Sequence, residues 1–160
     1  MIACNTNTAE NTNTVTRAEA SPPDTQADGL NKIGYTLNIE EATLANEDYR
    51  RVLYTGEHMQ LVLMSLKPNE EIGMEIHQDN DQFFRFESGS GKSIINGKEY
   101  IVGDGDIIFV PAGANHNIIN TDATQDLKLY SLYAAPTHKD GLVNATKAEA
   151  EVPFDGQTTE

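Results

Sequence analysis

The run GDIIFVPAGANHNIIN, from Gly105 to Asn120, decides how the rest of the chain is read. Residues 106–110 and 114–121 are rich in β-branched and apolar side chains, which favour extended backbone. Pro111-Ala112-Gly113 divides them. Proline presets a turn φ and glycine accepts a positive one, so the stretch is strand, tight turn, strand. A single histidine, His116, stands just past the turn. An imidazole so placed either caps backbone groups at a rim or points into an enclosed interior as a ligand.

Working outward, the same pattern repeats. Strands are expected at 51–54, 59–66, 71–77, 82–87, 92–95, 100–102 and 127–134. Turn signals lie between them at Thr55-Gly56, Pro68-Asn69, Ser88-Gly89-Ser90-Gly91, Asn96-Gly97 and Gly103-Asp104-Gly105. Asn96-Gly97 is a strong hairpin signal, because both residues tolerate positive φ. Many short strands with frequent turns indicate an all-β sandwich or barrel. Asn38 ahead of Ile39-Glu40-Glu41-Ala42-Thr43-Leu44 is expected to cap a short helix, with acids in its first turn. Thr146-Lys-Ala-Glu149 fits a capping box for a second short helix near the C-terminus.

Composition narrows the function. At 160 residues the chain holds one domain with a proper core. A formal net charge of −14 argues against nucleic acid and anionic membrane as partners. One cysteine, Cys4, excludes an internal disulfide framework and an all-thiolate zinc site. No apolar run approaches the roughly 18 residues of a membrane span. Residues 1–30 carry no aromatic residue and few large aliphatic ones, and form an expected disordered polar leader. The domain is expected at 31–152, with a loose tail at 153–160. Cys4 follows Met-Ile-Ala like the end of a bacterial lipoprotein processing site, but the charged and apolar segments of a signal are missing. The default is a cytoplasmic protein; the alternative is an envelope lipoprotein anchored through Cys4, its leader encoded upstream.

Glu75 and His77 are two apart on one expected strand and share a face. The turn Gln78-Asp79-Asn80-Asp81 returns the chain at Gln82, with Phe84 and Phe86 on its side. Should His116 meet them inside an apolar barrel, the two imidazoles, one carboxylate and one amide oxygen would suit a divalent transition metal: Fe, Mn, Zn, Ni, Co or Cu. They do not suit a calcium cage. Phe84, Phe86, Met64 and Phe109 are expected in the core, Arg85 outward, and Asp79 and Asp81 in solvent. His58 belongs to a surface turn, and His138 to a surface loop ahead of the barrel mouth. A nucleophile elbow, a Walker loop and a dinucleotide fingerprint are all missing.

The spacing resembles the two motifs of the cupin family. Gly105, Pro111, Gly113, His116 and Asn120 match its second motif without a gap. Asn69, Glu75, His77, Gln82 and Gly89 follow its first, and the interval from Ser90 to Asp104 has the short length of small microbial cupins. Taking His77 and Asp79 as the paired ligands instead would leave Phe83 or Phe84 at the acid position, which fails chemically. The resemblance implies a single-domain, jelly-roll-type antiparallel β-barrel over about residues 35 to 150, with Glu75, His77, Gln82 and His116 around a metal. It departs from the family at two positions: Glu75 stands where histidine is usual, and Gln82 where glutamate is usual. The exchange keeps one negative charge in the site.

The resemblance further implies a small-molecule ligand, a homodimer, and a metal-dependent enzyme of the dioxygenase, decarboxylase or sugar isomerase type. In that reading Glu75 is also a candidate general base, its pKa raised by apolar walls. The alternative is a non-catalytic cupin that binds a small sugar-like or acidic ligand.

Overall fold

Within residues 34–151, which the computed structural model describes, the chain forms ten strands and two short helices. In chain order these are α1 (Ile39–Ala45), β1 (Arg50–Thr55), β2 (Gln60–Leu66), β3 (Glu75–Ile76), β4 (Asp81–Ser88), β5 (Ser90–Ile95) and β6 (Lys98–Gly103). Then follow β7 (Ile107–Val110), β8 (Asn115–Asn120), β9 (Leu127–Ala134), β10 (Val143–Asn144) and α2 (Lys147–Glu151). All the pairings are antiparallel. One sheet has the order β10-β1-β2-β9-β4-β7 and the other β3-β8-β5-β6. This is the expected all-β, jelly-roll-like architecture. The leader at 1–30 with Cys4, and the tail at 153–160, lie outside the described residues. Among the described residues, no helix is long and apolar enough to cross a membrane.

Period-two alternation builds the core. Leu127, Leu129, Ser131 and Tyr133 of β9 are buried, as are Gln82, Phe84 and Phe86 of β4 and His116, Ile118 and Asn120 of β8. Each sheet has one apolar face, and the two faces close on each other. Asn120 fastens one end: its amide donates to the carbonyls of Leu66, Lys67 and Gln125. At the β5–β6 hairpin Asn96 and Gly97 both take positive φ, as the turn signal required. The Asn96 side-chain oxygen also accepts the Asn115 N–H at 3.0 Å, which ties the hairpin to β8.

Several expectations are corrected. The strand at 71–77 shrinks to Glu75–Ile76, because Gly73 breaks it with φ of 101° and gives its N–H to the Asn117 side chain. Ser88-Gly89-Ser90-Gly91, a turn signal in the sequence, does not join two paired strands as a hairpin turn would: β4 and β5 lie in different sheets, and Gly89 (φ 89°) carries the chain between them. The Asn38 side chain does not cap α1; its amide donates to Glu41. At α2, Thr146 Oγ1 accepts the Glu149 N–H, while the Glu149 carboxylate takes the N–H of Ala145, one residue earlier than a capping box predicts. Asp81 is not merely solvated; it accepts the Ala112 N–H and steadies the turn before β8. Phe109 is 65% exposed, because β7 turns Ile108 and Val110 inward and Phe109 out.

Candidate metal centre

Glu75 and His116 are direct cross-strand partners on β3 and β8. Residues opposed in this way point to one face, here the barrel interior. His77 follows two residues after Glu75, and its carbonyl accepts the Gly113 N–H at 2.8 Å, which holds the end of β3 against the proline-glycine turn. Gln82 arrives from the opposite sheet at the start of β4.

The donor atoms converge. Glu75 Oε1 lies 3.3 Å from His77 Nε2 and 3.4 Å from His116 Nε2, and the Gln82 amide oxygen lies 3.0 Å from His116 Nε2. One donor atom each from Glu75, His77 and His116 falls within 4.8 Å of the others. Atoms about 2.1 Å from a shared centre, at right to tetrahedral angles, stand roughly 3.0–3.4 Å apart. The residues present therefore fit a small divalent cation. Glu75 Oε1 and His77 Nε2 are buried and have no hydrogen-bond partner, so both lone pairs are left to the site.

Proton accounting at His116 leads to the same point. Its Nδ1 lies 3.2 Å from the Ala114 carbonyl, which only accepts, so Nδ1 carries a proton. Gln82 Nε2 donates to Ser131 Oγ at 3.0 Å, and this turns the amide oxygen toward His116 Nε2. In a neutral ring Nε2 then presents a lone pair to another acceptor. A cation between them, proton or metal, removes the conflict.

Burial works to raise the Glu75 pKa, but the His116 and His77 imidazoles together outweigh it and hold the carboxyl down at about 2. The expected raised-pKa general base is therefore not found; Glu75 is a carboxylate at neutral pH. Phe84 packs beside His116 with ring centroids 6.0 Å apart, and Tyr133 meets His77 edge-on at 5.5 Å. Both keep the centre's walls apolar.

A family model described as a Cupin domain matches residues 62–133. The YrkC protein of Bacillus subtilis (strain 168) is 46% identical over 123 residues, covering 72% of this chain and 65% of that protein. A protein of Acanthamoeba polyphaga mimivirus is 43% identical over 120 residues, covering 72% of this chain and 74% of its own length. The chain belongs to the cupin family. It spans less than two thirds of the Bacillus subtilis relative. The crystal structure of BH2720 from Bacillus halodurans, 41% identical, is similar to this cupin with a TM-score of 0.74, over 76% of this chain and 96% of that one.

The structure of this cupin brings Glu75, His77, His116 and Gln82 together and leaves His58 on the surface, its side chain 85% exposed. His138 is corrected. It is not a surface loop residue: its ring packs edge-on against Tyr133 at 5.0 Å, and burial, reinforced by the charge of Arg50, pushes its pKa down to about 4. Gln60, fully buried, holds it there by accepting the N–H groups of Thr137 and His138 and donating to the His138 carbonyl. Sequence reasoning also passed over Arg50, Gln60, Ser131 and Tyr133. The alternation of Leu127, Leu129, Ser131 and Tyr133 was a signal available for the last two.

Proposed function

We propose that this cupin holds one divalent transition metal through Glu75, His77 and His116, with the Gln82 amide oxygen as fourth donor, and is a metal-dependent enzyme acting on a small oxygen-bearing molecule. The observation that carries the reading is the position of Glu75 Oε1, 3.3 Å and 3.4 Å from two imidazole nitrogens without a hydrogen bond to satisfy it. Two histidines and one carboxylate suit the borderline metals and leave positions open for a ligand. A metal so bound would polarise a ligand oxygen, or activate dioxygen if redox-active. That chemistry belongs with the oxygenase, decarboxylase and isomerase reactions. The role of the chain's own groups is to fix the donor geometry and keep the walls dry. Ser131 orients Gln82, the Ala114 carbonyl orients His116, and Phe84 and Tyr133 exclude water.

Elemental analysis of protein purified without chelator tests the proposal. One equivalent of divalent metal is expected, lost in His77→Ala and in His116→Ala. Well-folded protein that carries no metal and takes none up would refute it and favour the non-catalytic binding module.

A further inference from the structure

The inner face of the larger sheet carries one row of polar side chains. Gln60 of β2, Tyr133 of β9 and Gln82 of β4 are register partners, and none is more than 1% exposed. Side chains opposed across neighbouring strands share a face. Gln82 reaches His116, and Tyr133 meets His77 edge-on, so two members of the row border the metal centre. Gln60 stands two strands from Gln82, about 10 Å at the usual strand spacing. Its amide is fully engaged. The Oε1 accepts the N–H groups of Thr137 and His138, and the Nε2 donates to the His138 carbonyl and to Thr55 Oγ1.

The same segment is tied from the other side. Asn80, in the turn between His77 and Gln82, donates to the Ala135 carbonyl and to Thr137 Oγ1. Residues 135–138 therefore form a strap from the turn between two metal-centre residues to Gln60. His138 ends the strap. With its backbone on Gln60, its ring lies against Tyr133, the next member of the row toward Gln82, edge-on at 5.0 Å. One tyrosine ring is thus in contact with both His77 and His138.

Fixing His138 so firmly leaves one of its atoms unsatisfied. The Nε2 is buried and has no hydrogen-bond partner among the described residues. A buried polar atom in that condition costs about as much as a lost hydrogen bond, unless something arrives to complete it. Glu75 Oε1 and His77 Nε2 are in the same condition, and a shared cation accounts for both. It does not account for His138, which meets the centre across the Tyr133 ring. Burial keeps the His138 imidazole uncharged at neutral pH. An uncharged ring nitrogen makes one hydrogen bond, as donor or acceptor according to tautomer.

We propose that His138 is a ligand-contacting residue of this centre, its Nε2 hydrogen-bonding a hydroxyl or carbonyl oxygen of the molecule that fills the metal's open positions. Gln60 and Asn80 are then positioning residues, which act through the strap. The inference deepens the proposed function and rests on it for the metal.

The test loads the full chain with Co²⁺ and titrates it with 4-nitrocatechol, a dihydroxy chelator whose visible absorption shifts on binding a metal. His138→Phe keeps a ring against Tyr133 and removes both nitrogens. It should take up Co²⁺ as the wild type does and hold the probe about 10-fold more weakly, the contribution of one hydrogen bond. His138→Gln, whose amide extends to the region of Nε2, should recover most of that loss. Asn80→Ala leaves His138 in place and unties the strap; it should weaken the probe in the same direction, and supplies the test if His138→Phe does not fold. Metal content, read before the probe is added, separates the two readings. Protein that takes up no Co²⁺ refutes the proposed function and this inference with it. Wild-type protein that takes up Co²⁺ but binds the probe no more tightly than His138→Phe overturns this inference alone, and leaves Nε2 to a buried water. Equal weakening in His138→Phe and His138→Gln, or a loss of Co²⁺ affinity alongside that of the probe, would make His138 a structural residue and overturn the inference as well.

Discussion

Glu75 and His116 oppose each other in register across β3 and β8, with 3.4 Å between the carboxylate Oε1 and the imidazole Nε2. The pairing places a charged oxygen and a buried ring nitrogen on one face without help from any loop. Glu75→Gln keeps the shape of that side chain and removes its charge. It should lower divalent-metal affinity by at least the roughly 10- to 100-fold that even outer-shell partners command. Competition titration against a chromophoric chelator reads the loss, with circular dichroism to confirm the fold.

His138 sets a pH dependence of stability. Its pKa is about 4 in the folded protein against 6.5 for the free side chain; burial is the main cause, Arg50 and His77 add to it, and Glu75 opposes it. Between those values the unfolded chain takes up a proton that the folded chain refuses. Stability therefore falls as pH drops from about 6.5 to about 4, by about 3 kcal/mol from this residue. Glu75, with its pKa lowered, supports the fold above about pH 4.5 and loses that effect only as pH falls toward 2. His138→Gln should flatten the upper window alone. Urea midpoints of both proteins at pH 7 and pH 4.5 check this.

The strands and the Glu75–His77 pair were legible because they rest on local rules. Alternation placed Glu75 with His77, and Phe84 and Phe86 with Gln82; the proline-glycine turn located His116. Arg50 and His138 were not legible in the same way. Each gains its environment from segments far away in sequence: Gln60 clamps His138 across 78 residues. Glu75 misled for a different reason. Its burial and its pairing with His77 were foreseen, but the outcome also depended on the His116 imidazole, whose distance the β3–β8 register fixes. The Gly89 crossing resembled a hairpin because a sheet change and a tight turn ask for the same glycine.

Gly91 is the second residue of β5, paired with Val102 of β6 on one side and Asn120 of β8 on the other. A Cβ there would overlap the Ile119 carbonyl oxygen and come within 2.8 Å of Leu127 Cδ2. The first contact is backbone and cannot swing aside. Gly91→Ala should therefore cost about 1–3 kcal/mol, the usual penalty of overpacking, despite adding one methyl. Denaturant unfolding with an unchanged m-value would confirm a loss of native stability. A midpoint equal to that of the wild type would show that β8 can retreat.

Phe84 and Phe109 look alike in sequence and should respond oppositely to truncation. Phe84 is fully buried beside His116, so Phe84→Ala should cost about 3–5 kcal/mol and disturb the His116 ring. Phe109 is 65% exposed on β7, an end strand of its sheet, and touches the Phe83 ring edge-on at 5.7 Å. Phe109→Ser should lose only that cross-strand pair, about 1 kcal/mol or less, and leave metal affinity unchanged. Urea unfolding and metal titration of the two variants side by side measure the contrast. If Phe109→Ser proved as damaging as Phe84→Ala, its ring would have to be buried in the protein as it exists in solution.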